Sequence, residues 1–300
     1  MLICDTHADT LFAMADGDRP AGLPLDVTRE ALSSAQNVRV QCMALFVCTG
    51  GMRLSPTIVE RELCALDRLK ADGFQQITEV DQARAGVPNV MLTIEGGEAF
   101  GGDPAQVEHF AALGVRMAAL VWNNENALAH PAVGACGEGL TALGRETVRR
   151  MRQCRMAVDV SHLNERGFYD LLDGEAPPLA SHSCARALCG HPRNLTDDQL
   201  RALFQAGGFV GVNFFPRFLS DDESADIDRV IDHLAHMCEL GGEAHVGLGS
   251  DFDGIPSWPR GLRSAADVPA LLAGLRRRGF GEPLVERIAG LNFKTYMERL

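Results

Sequence analysis

Short hydrophobic runs alternate with amphipathic stretches along the whole chain. The runs are LICDTH (2–7), VQCMALFV (40–47), VMLTIEGG (90–97), VRMAALVWN (115–123), MAVDVSH (156–162), PLASHS (178–183), FVGVNFF (209–215) and HVGLGSDFDG (245–254). Most are continuous and do not alternate in and out, as expected of strands covered on both faces in a parallel sheet. Segments of helical period lie between and after them, at 55–73, 102–114, 141–154, 164–174, 196–208, 224–242, 264–280 and 282–300. In the first of these, Ser55 is a candidate cap, Pro56 suits the first turn and Gly73 a stop. Eight strands alternating with helices predict an α/β protein built as a closed (β/α)8 TIM barrel, one domain over residues 1–300. A doubly wound open sheet is the alternative, but no glycine-rich phosphate loop follows the first strand.

Composition narrows the partners. Of 300 residues 46% are hydrophobic, enough for a sizeable core. The net charge of -12 and the lack of a basic stripe argue against nucleic acid. No apolar run is long enough for a bilayer, and Leu2-Ile3-Cys4 already reads as strand, so neither membrane nor targeting segment is expected. The nine cysteines are odd in number and show no CxxC spacing. Buried, reduced thiols in a cytoplasmic protein are expected, not a disulfide framework or a zinc–thiolate site.

The candidate chemistry sits where a barrel places it, at the carboxyl ends of the strands. Within DTHAD (5–9), Asp5, His7 and Asp9 alternate, so an extended backbone turns them to one face. Glu95 ends the third run, Trp122 and Asn123 the fourth, His162 the fifth and His182 the sixth. Asn213 lies in the seventh, with Asp251 and Asp253 in the eighth. Singly, each has an ordinary reading: a satisfied structural histidine, a turn glutamate before Gly-Gly, a calcium-type loop or plain turn in SDFDG. Jointly, three imidazoles and several carboxylates on one rim form a nitrogen-and-oxygen donor set suited to zinc or a similar divalent ion. The donors exceed one ion's needs, which points to two ions, with Glu95 as the natural bridge. A carbamylated lysine is not the bridge, because neither Lys70 nor Lys294 ends a strand.

These residues carry a resemblance to a known family. DTHAD (5–9), IEGG (94–97), DVSH (159–162), ASHS (180–183), HPRNLTD (191–197), GVNFF (211–215), GLGSDFDG (247–254) and GLNF (290–293) resemble, in order and over essentially the whole chain, the membrane (renal) dipeptidase family of zinc peptidases. The resemblance implies an amidohydrolase-like, metal-dependent hydrolase barrel with two Zn2+ per subunit. It implies His7 and Asp9 on one ion, His162 and His182 on the other, and Glu95 bridging. It further implies Asp251 as general acid/base, Arg193 as the arginine that binds the substrate carboxylate, and attack by a metal-bridging hydroxide on dipeptides, L-Xaa-L-Xaa and L-Xaa-D-Xaa. A homodimer is the oligomer the family suggests.

Two positions depart from the family pattern. Val121-Trp122-Asn123 stands where Thr-His-Asn is common, so Trp122 replaces a histidine that helps to hold the substrate's carbonyl oxygen, and Trp122 and Asn123 are the expected substrate-binding residues there. Indole N–H is a donor without charge. Phe215 stands where some relatives have Tyr. The chain lacks the secretion signal and lipid-anchor tail of the animal enzymes, so no membrane attachment is expected. The competing readings are a related hydrolase of another amide or a lactone, and a metal-bound barrel without turnover, in which Asp251 is a structural carboxylate at the barrel mouth.

Overall fold

The computed structural model describes residues 1–15, 24–33, 35–48, 57–134, 137–172, 174 and 176–300. Nine strands occur among them: β1 (Leu2–Asp5), β2 (Val38–Phe46), β3 (Gln75–Ile77), β4 (Pro88–Glu95), β5 (Val115–Ala119), β6 (Ala157–Asp159), β7 (Leu179–Ala180), β8 (Phe209–Val212) and β9 (Val246–Leu248). All pairings are parallel. β1 pairs with β2 on one side and β9 on the other, and β2 pairs with β4, so eight strands close in the order β1-β2-β4-β5-β6-β7-β8-β9. This is the expected barrel. β3, which the hydrophobic pattern did not announce, pairs with Asn89–Met91 in the lower half of β4, while β5 takes the upper half from Leu92.

Period-two alternation sorts the strand side chains into two clusters. Ile3, Met43, Val90, Ala118, Val158, Ala180 and Val210 join the surrounding helices in one hydrophobic cluster. Their chain neighbours Cys4, Cys42, Met91, Met117, Ala157, Leu179 and Phe209 form the other with Phe293, Tyr296 and Met297 of the final helix Asn292–Met297. The second cluster fills the barrel and the last helix closes it, as a packed core and not a pore. Both faces of each strand are thus apolar, which is why the runs looked continuous.

The helices follow the predicted segments, with shorter ends. Thr141, Thr196 and Asp226 cap theirs by accepting from Gly144, Gln199 and Arg229 N–H. Ser55 and Pro56 lie outside the described residues. The helix after them runs Ile58–Ala71, and Gly73, at φ +91°, ends it in the left-handed region. The segment 282–300 is not one helix: Glu282–Glu286 passes through a π-helical turn, Arg287–Leu291, into the final helix. A Cβ on Gly290 would lie 2.9–3.1 Å from Leu2 and Cys4 atoms, so only glycine lets the turn pack this close to β1. Asn292 then donates to the Glu243 and Val246 carbonyls, both at 2.9 Å. GLNF is therefore a packing motif.

The predicted strands overran the ladders most at β9, where the run continues into SDFDG, and by three or four residues at the carboxyl ends of β5, β6, β7 and β8. There the backbone leaves the sheet, because its polar groups are taken up by the side chains of the rim.

Candidate metal centre

A buried polar layer supports the rim. The Asp159 carboxylate accepts from the Ser161 hydroxyl at 2.6 Å, from the Ser161 and Ser181 N–H groups at 2.9 and 3.0 Å, and from the Ser181 hydroxyl. Ser181 Oγ in turn stands 2.7 Å from His182 Nδ1 and accepts from it. His162 Nδ1 meets Asn123 Oδ1 at 3.0 Å. Both histidines thus carry their proton on Nδ1 and leave Nε2 as a bare lone pair. Asp5 does not reach the cluster; it accepts from Ser250 N–H at 2.8 Å and from the Ser250 hydroxyl. Two further segments zip together above the sheet: Asp9 N–H bonds Phe252 O at 2.9 Å and Asp251 N–H bonds His7 O at 3.2 Å. That ladder holds DTHAD alongside SDFDG.

The donors meet above this layer. Glu95 Oε1 lies 2.7 Å from His162 Nε2 and 3.5 Å from His182 Nε2, and Glu95 Oε2 lies 3.5 Å from His7 Nε2. His7 Nε2 is 3.7 Å from Asp9 Oδ1 and 3.8 Å from Asp251 Oδ1. His162 Nε2 and His182 Nε2 approach to 3.0 Å. Glu95 thus joins His162 and His182 to His7, and His7 joins Glu95 to Asp9 and Asp251, so the five predicted ligands and Asp251 form one continuous cluster. Two acceptor nitrogens and an acceptor oxygen crowded this closely repel one another unless a cation lies among them. His7 Nε2 and Asp9 Oδ1 are buried without a hydrogen-bond partner. The donor chemistry and these orphaned atoms fit divalent metal.

Electrostatics agree. Burial, with the charge of Arg193, holds the His162 imidazole down to about 4, and burial with His7 holds His182 well below its usual value, so both are neutral donors. Burial lifts the Asp9 carboxyl to about 6, with Glu95 adding to it. Burial also lifts Asp251 to about 7, reinforced by Asp9 and Glu95 against the pull of His7. Negative charge is in excess here, which a cation would offset.

Glycines make the closeness possible. Gly96, after the bridging candidate Glu95, has φ +100°, and a Cβ there would stand 1.7 Å from Val47 O. The Gly96→Ala protein is expected to lose about 3 kcal/mol or more of stability, from left-handed strain plus that clash. Thermal melting checks this; an unchanged midpoint would mean the turn relaxes freely.

The rim opens into a cavity of about 240 Å³. Among the described residues lining it, Arg193 is the sole lysine or arginine, against Asp9, Glu95, Asp251 and Asp253. Arg193 is 3% exposed. Its Nη2 makes only a 3.4 Å contact with His182 O, while Nε and Nη1 have no partner. Burial pushes the guanidinium down to about 10. Trp122 also lines the cavity, edge-on to Phe46 at 5.1 Å between centroids and 6.2 Å from the His162 ring.

Three residues that sequence reasoning left without a role belong to the site. Asn213 Nδ2 donates to Asp251 Oδ2 at 2.9 Å, and its Oδ1 accepts from Phe215 N–H at 2.6 Å. Asp253 accepts from Thr10 Oγ1 at 2.7 Å and Asp26 N–H at 2.8 Å, anchoring the loop that carries Asp251. Ser181 orients His182. The signal was their place inside the motifs, beside each ligand.

With the site in view, comparison with known proteins gives a consistent result. The profile of the family described as membrane dipeptidase (peptidase family M19) matches residues 2–299. A protein encoded in the pqqA 5' region of Klebsiella pneumoniae is 39% identical over 218 residues, covering 69% of this chain and 80% of that one. A dipeptidase of Claviceps purpurea is 36% identical over 227 residues, 74% of this chain, and the match spans 52% of that longer protein. The crystal structure of a metallopeptidase from Rhodobacter sphaeroides, liganded with a phosphinate mimic of the dipeptide L-Ala-D-Ala, superposes with a TM-score of 0.90 at 28% identity, covering 100% of this chain and 99% of that one. The chain belongs to the membrane dipeptidase family, peptidase family M19, metallopeptidases of the hydrolase class built on a closed parallel barrel.

Proposed function

We propose that the protein is a binuclear zinc dipeptidase acting on L-Xaa-L-Xaa and L-Xaa-D-Xaa dipeptides, with Asp251 as general acid and base. The observation that carries this reading is Arg193: a buried guanidinium with unanswered donors, in a cavity whose other charged lining residues are carboxylates, beside a cluster of metal donors. A free substrate carboxylate answers it bidentately. The phosphinate dipeptide mimic held by the Rhodobacter sphaeroides relative supports the same substrate class. The free thiols of the described cysteines support a cytoplasmic setting, and no described helix is long and apolar enough to cross a membrane.

His7 and Asp9 would hold one cation, His162 and His182 the other, with Glu95 between them. Such cations supply, when bound, Lewis acidity toward a peptide carbonyl and an acidified water near neutral pH. The remaining work falls to side chains. Arg193 fixes the carboxyl end of the substrate. Asp251 takes the proton of the attacking water and returns it to the leaving amine. Asn213 pins one Asp251 oxygen and leaves the other, Oδ1, facing the metal donors. Ser181 and Asn123 keep His182 and His162 in the donor tautomer.

Metal analysis with a panel of L,L and L,D dipeptides tests the reading. Two equivalents of zinc and dipeptide turnover are expected; metal-replete protein that hydrolyses no dipeptide, or prefers lactones or N-acyl amides, would refute it. Arg193→Ala is expected to lower kcat/KM for free dipeptides by about 10²-fold or more, because a buried charge contact is removed. Carboxyl-amidated dipeptides should be affected far less, and equal losses on both would take Arg193 out of carboxylate recognition.

A further inference from the structure

Position around the barrel relates Arg193 to the aromatic residues of the cavity. In the closed ring β2 and β7 are four places apart, hence diametrically opposed. Arg193 lies on the loop after β7. Phe46 is the last residue of β2. Phe12 and Trp122, on the segments after β1 and β5, flank it. The three rings make a continuous edge-to-face wall: Phe12 to Phe46 at 5.0 Å and 79°, Phe46 to Trp122 at 5.1 Å and 77°. All three line the same cavity as Arg193 and the metal donors.

The wall is held from behind. Phe46 is buried, and its N–H donates to Glu62 Oε1 at 2.9 Å. It pairs in register with Glu95, and the next residue, Val47, donates its N–H to Glu95 O at 2.8 Å. Glu95 and the central ring of the wall therefore share one strand pair. Edge-to-face rings in this arrangement present an apolar surface with little conformational freedom to lose.

We propose that the Phe12–Phe46–Trp122 wall is the subsite for the N-terminal side chain of the substrate and selects aromatic or large aliphatic residues there. The inference rests on the dipeptidase reading above. A dipeptide whose carboxylate is on Arg193 and whose scissile carbonyl lies over the donors directs its first residue to the opposite side of the ring. The other aromatic pair of the cavity, Phe215 and Phe218, adjoins Arg193, with the Phe218 ring 5.5 Å from its guanidinium carbon, and so falls to the C-terminal residue. Water released from the three rings favours an apolar occupant. An acidic side chain would be desolvated there and repelled by Asp9, Asp251 and Asp253. Trp122, which departs from the family's usual histidine, thereby acts as a specificity residue.

The test measures kcat/KM for L-Phe-D-Ala, L-Leu-D-Ala, L-Ala-D-Ala and L-Glu-D-Ala, with L-Ala-D-Phe and L-Ala-D-Leu to vary the C-terminal residue, on the zinc-loaded wild type and on Trp122→Ala. Wild type is expected to favour Phe and Leu over Ala by about tenfold or more, and over Glu by more still. Trp122→Ala is expected to collapse the Phe/Ala ratio toward unity without altering the preference at the C-terminal residue. Phe12→Ala, at a half-buried position, repeats the test should Trp122→Ala fold poorly. A wild-type preference for Ala or Glu, or a change at the C-terminal residue in place of the N-terminal one, overturns the subsite while leaving the dipeptidase reading intact. Absence of any dipeptide turnover overturns the reading instead. Calorimetric binding of phosphinate mimics of L-Phe-D-Ala and L-Ala-D-Ala then decides the subsite alone: tighter binding of the first, lost in Trp122→Ala, upholds it, and equal binding removes it.

Discussion

Asp251→Asn is expected to lower kcat by about 10²–10⁴-fold while the metal content stays unchanged, the range spanned by losing a positioned proton-transfer group. Asparagine keeps the volume and one acceptor oxygen but takes up no proton from water near neutral pH. Asp251 lies 3.8 Å from His7 Nε2 and is oriented by Asn213 from the far side. Its backbone sits at φ +65°, in the left-handed region where aspartate is among the better tolerated residues. The N–H bond to His7 O holds that conformation, so the substitution leaves the ladder between DTHAD and SDFDG in place. Metal analysis and stopped assays on the same preparation check the prediction. Loss of zinc together with activity would make Asp251 a ligand, and full activity would exclude it from the chemistry.

Stripping divalent cations is expected to abolish turnover and to lower the thermal midpoint, because the site then brings Asp9, Glu95 and Asp251 together around imidazoles with nothing among them. Free zinc at about a thousand times its Kd stabilises the folded state by about 4 kcal/mol, a shift on the order of 10 °C for a domain of this size. Glu95→Gln is expected to lose most of both effects at once. Among the described residues Glu95 is the one carboxylate within 3.5 Å of three imidazoles, so its loss is expected to weaken both proposed cation positions. Titrating zinc into chelator-treated protein while following the thermal midpoint gives the answer independently of activity. A wild-type midpoint insensitive to zinc, or a Glu95→Gln midpoint as responsive to zinc as the wild type, would sink the binuclear arrangement.

The fold was readable because hydrophobic runs of strand length need cover on both faces, and a chain that repeats strand and helix eight times has few ways to supply it. The candidate donor cluster was readable for a related reason: barrel chemistry collects where strands end, so His7, His162 and His182, with Glu95, stood out, unlike histidines inside helices such as His233. What escaped was of two kinds. β3 is too short and too polar, Gln75-Gln76-Ile77, to register as an apolar run, and it exists because Pro88–Glu95 extends below its neighbour β5 and leaves an edge to pair. The break at Arg287–Leu291 escaped because its helical period continues across the turn; only the approach of Gly290 to β1 shows why the helix must bulge there.

The supporting polar residues escaped for a different reason. Asp159, Ser181 and Asn213 carry common side chains, and their importance lies in which atom each one faces; Asn123, expected at the substrate, instead bonds His162 Nδ1. The amino-acid sequence by itself determined the order of strands and helices, the apolar two-faced character of the strands and the kinds of donor atom at their ends, since these depend on residue type and local spacing. Tertiary structure alone decided that those donors form one cluster, that Arg193 is buried with open donors and that an aromatic wall stands across the ring from it. Such distances arise from closing the barrel, which joins residues more than two hundred positions apart, and no local pattern encodes them.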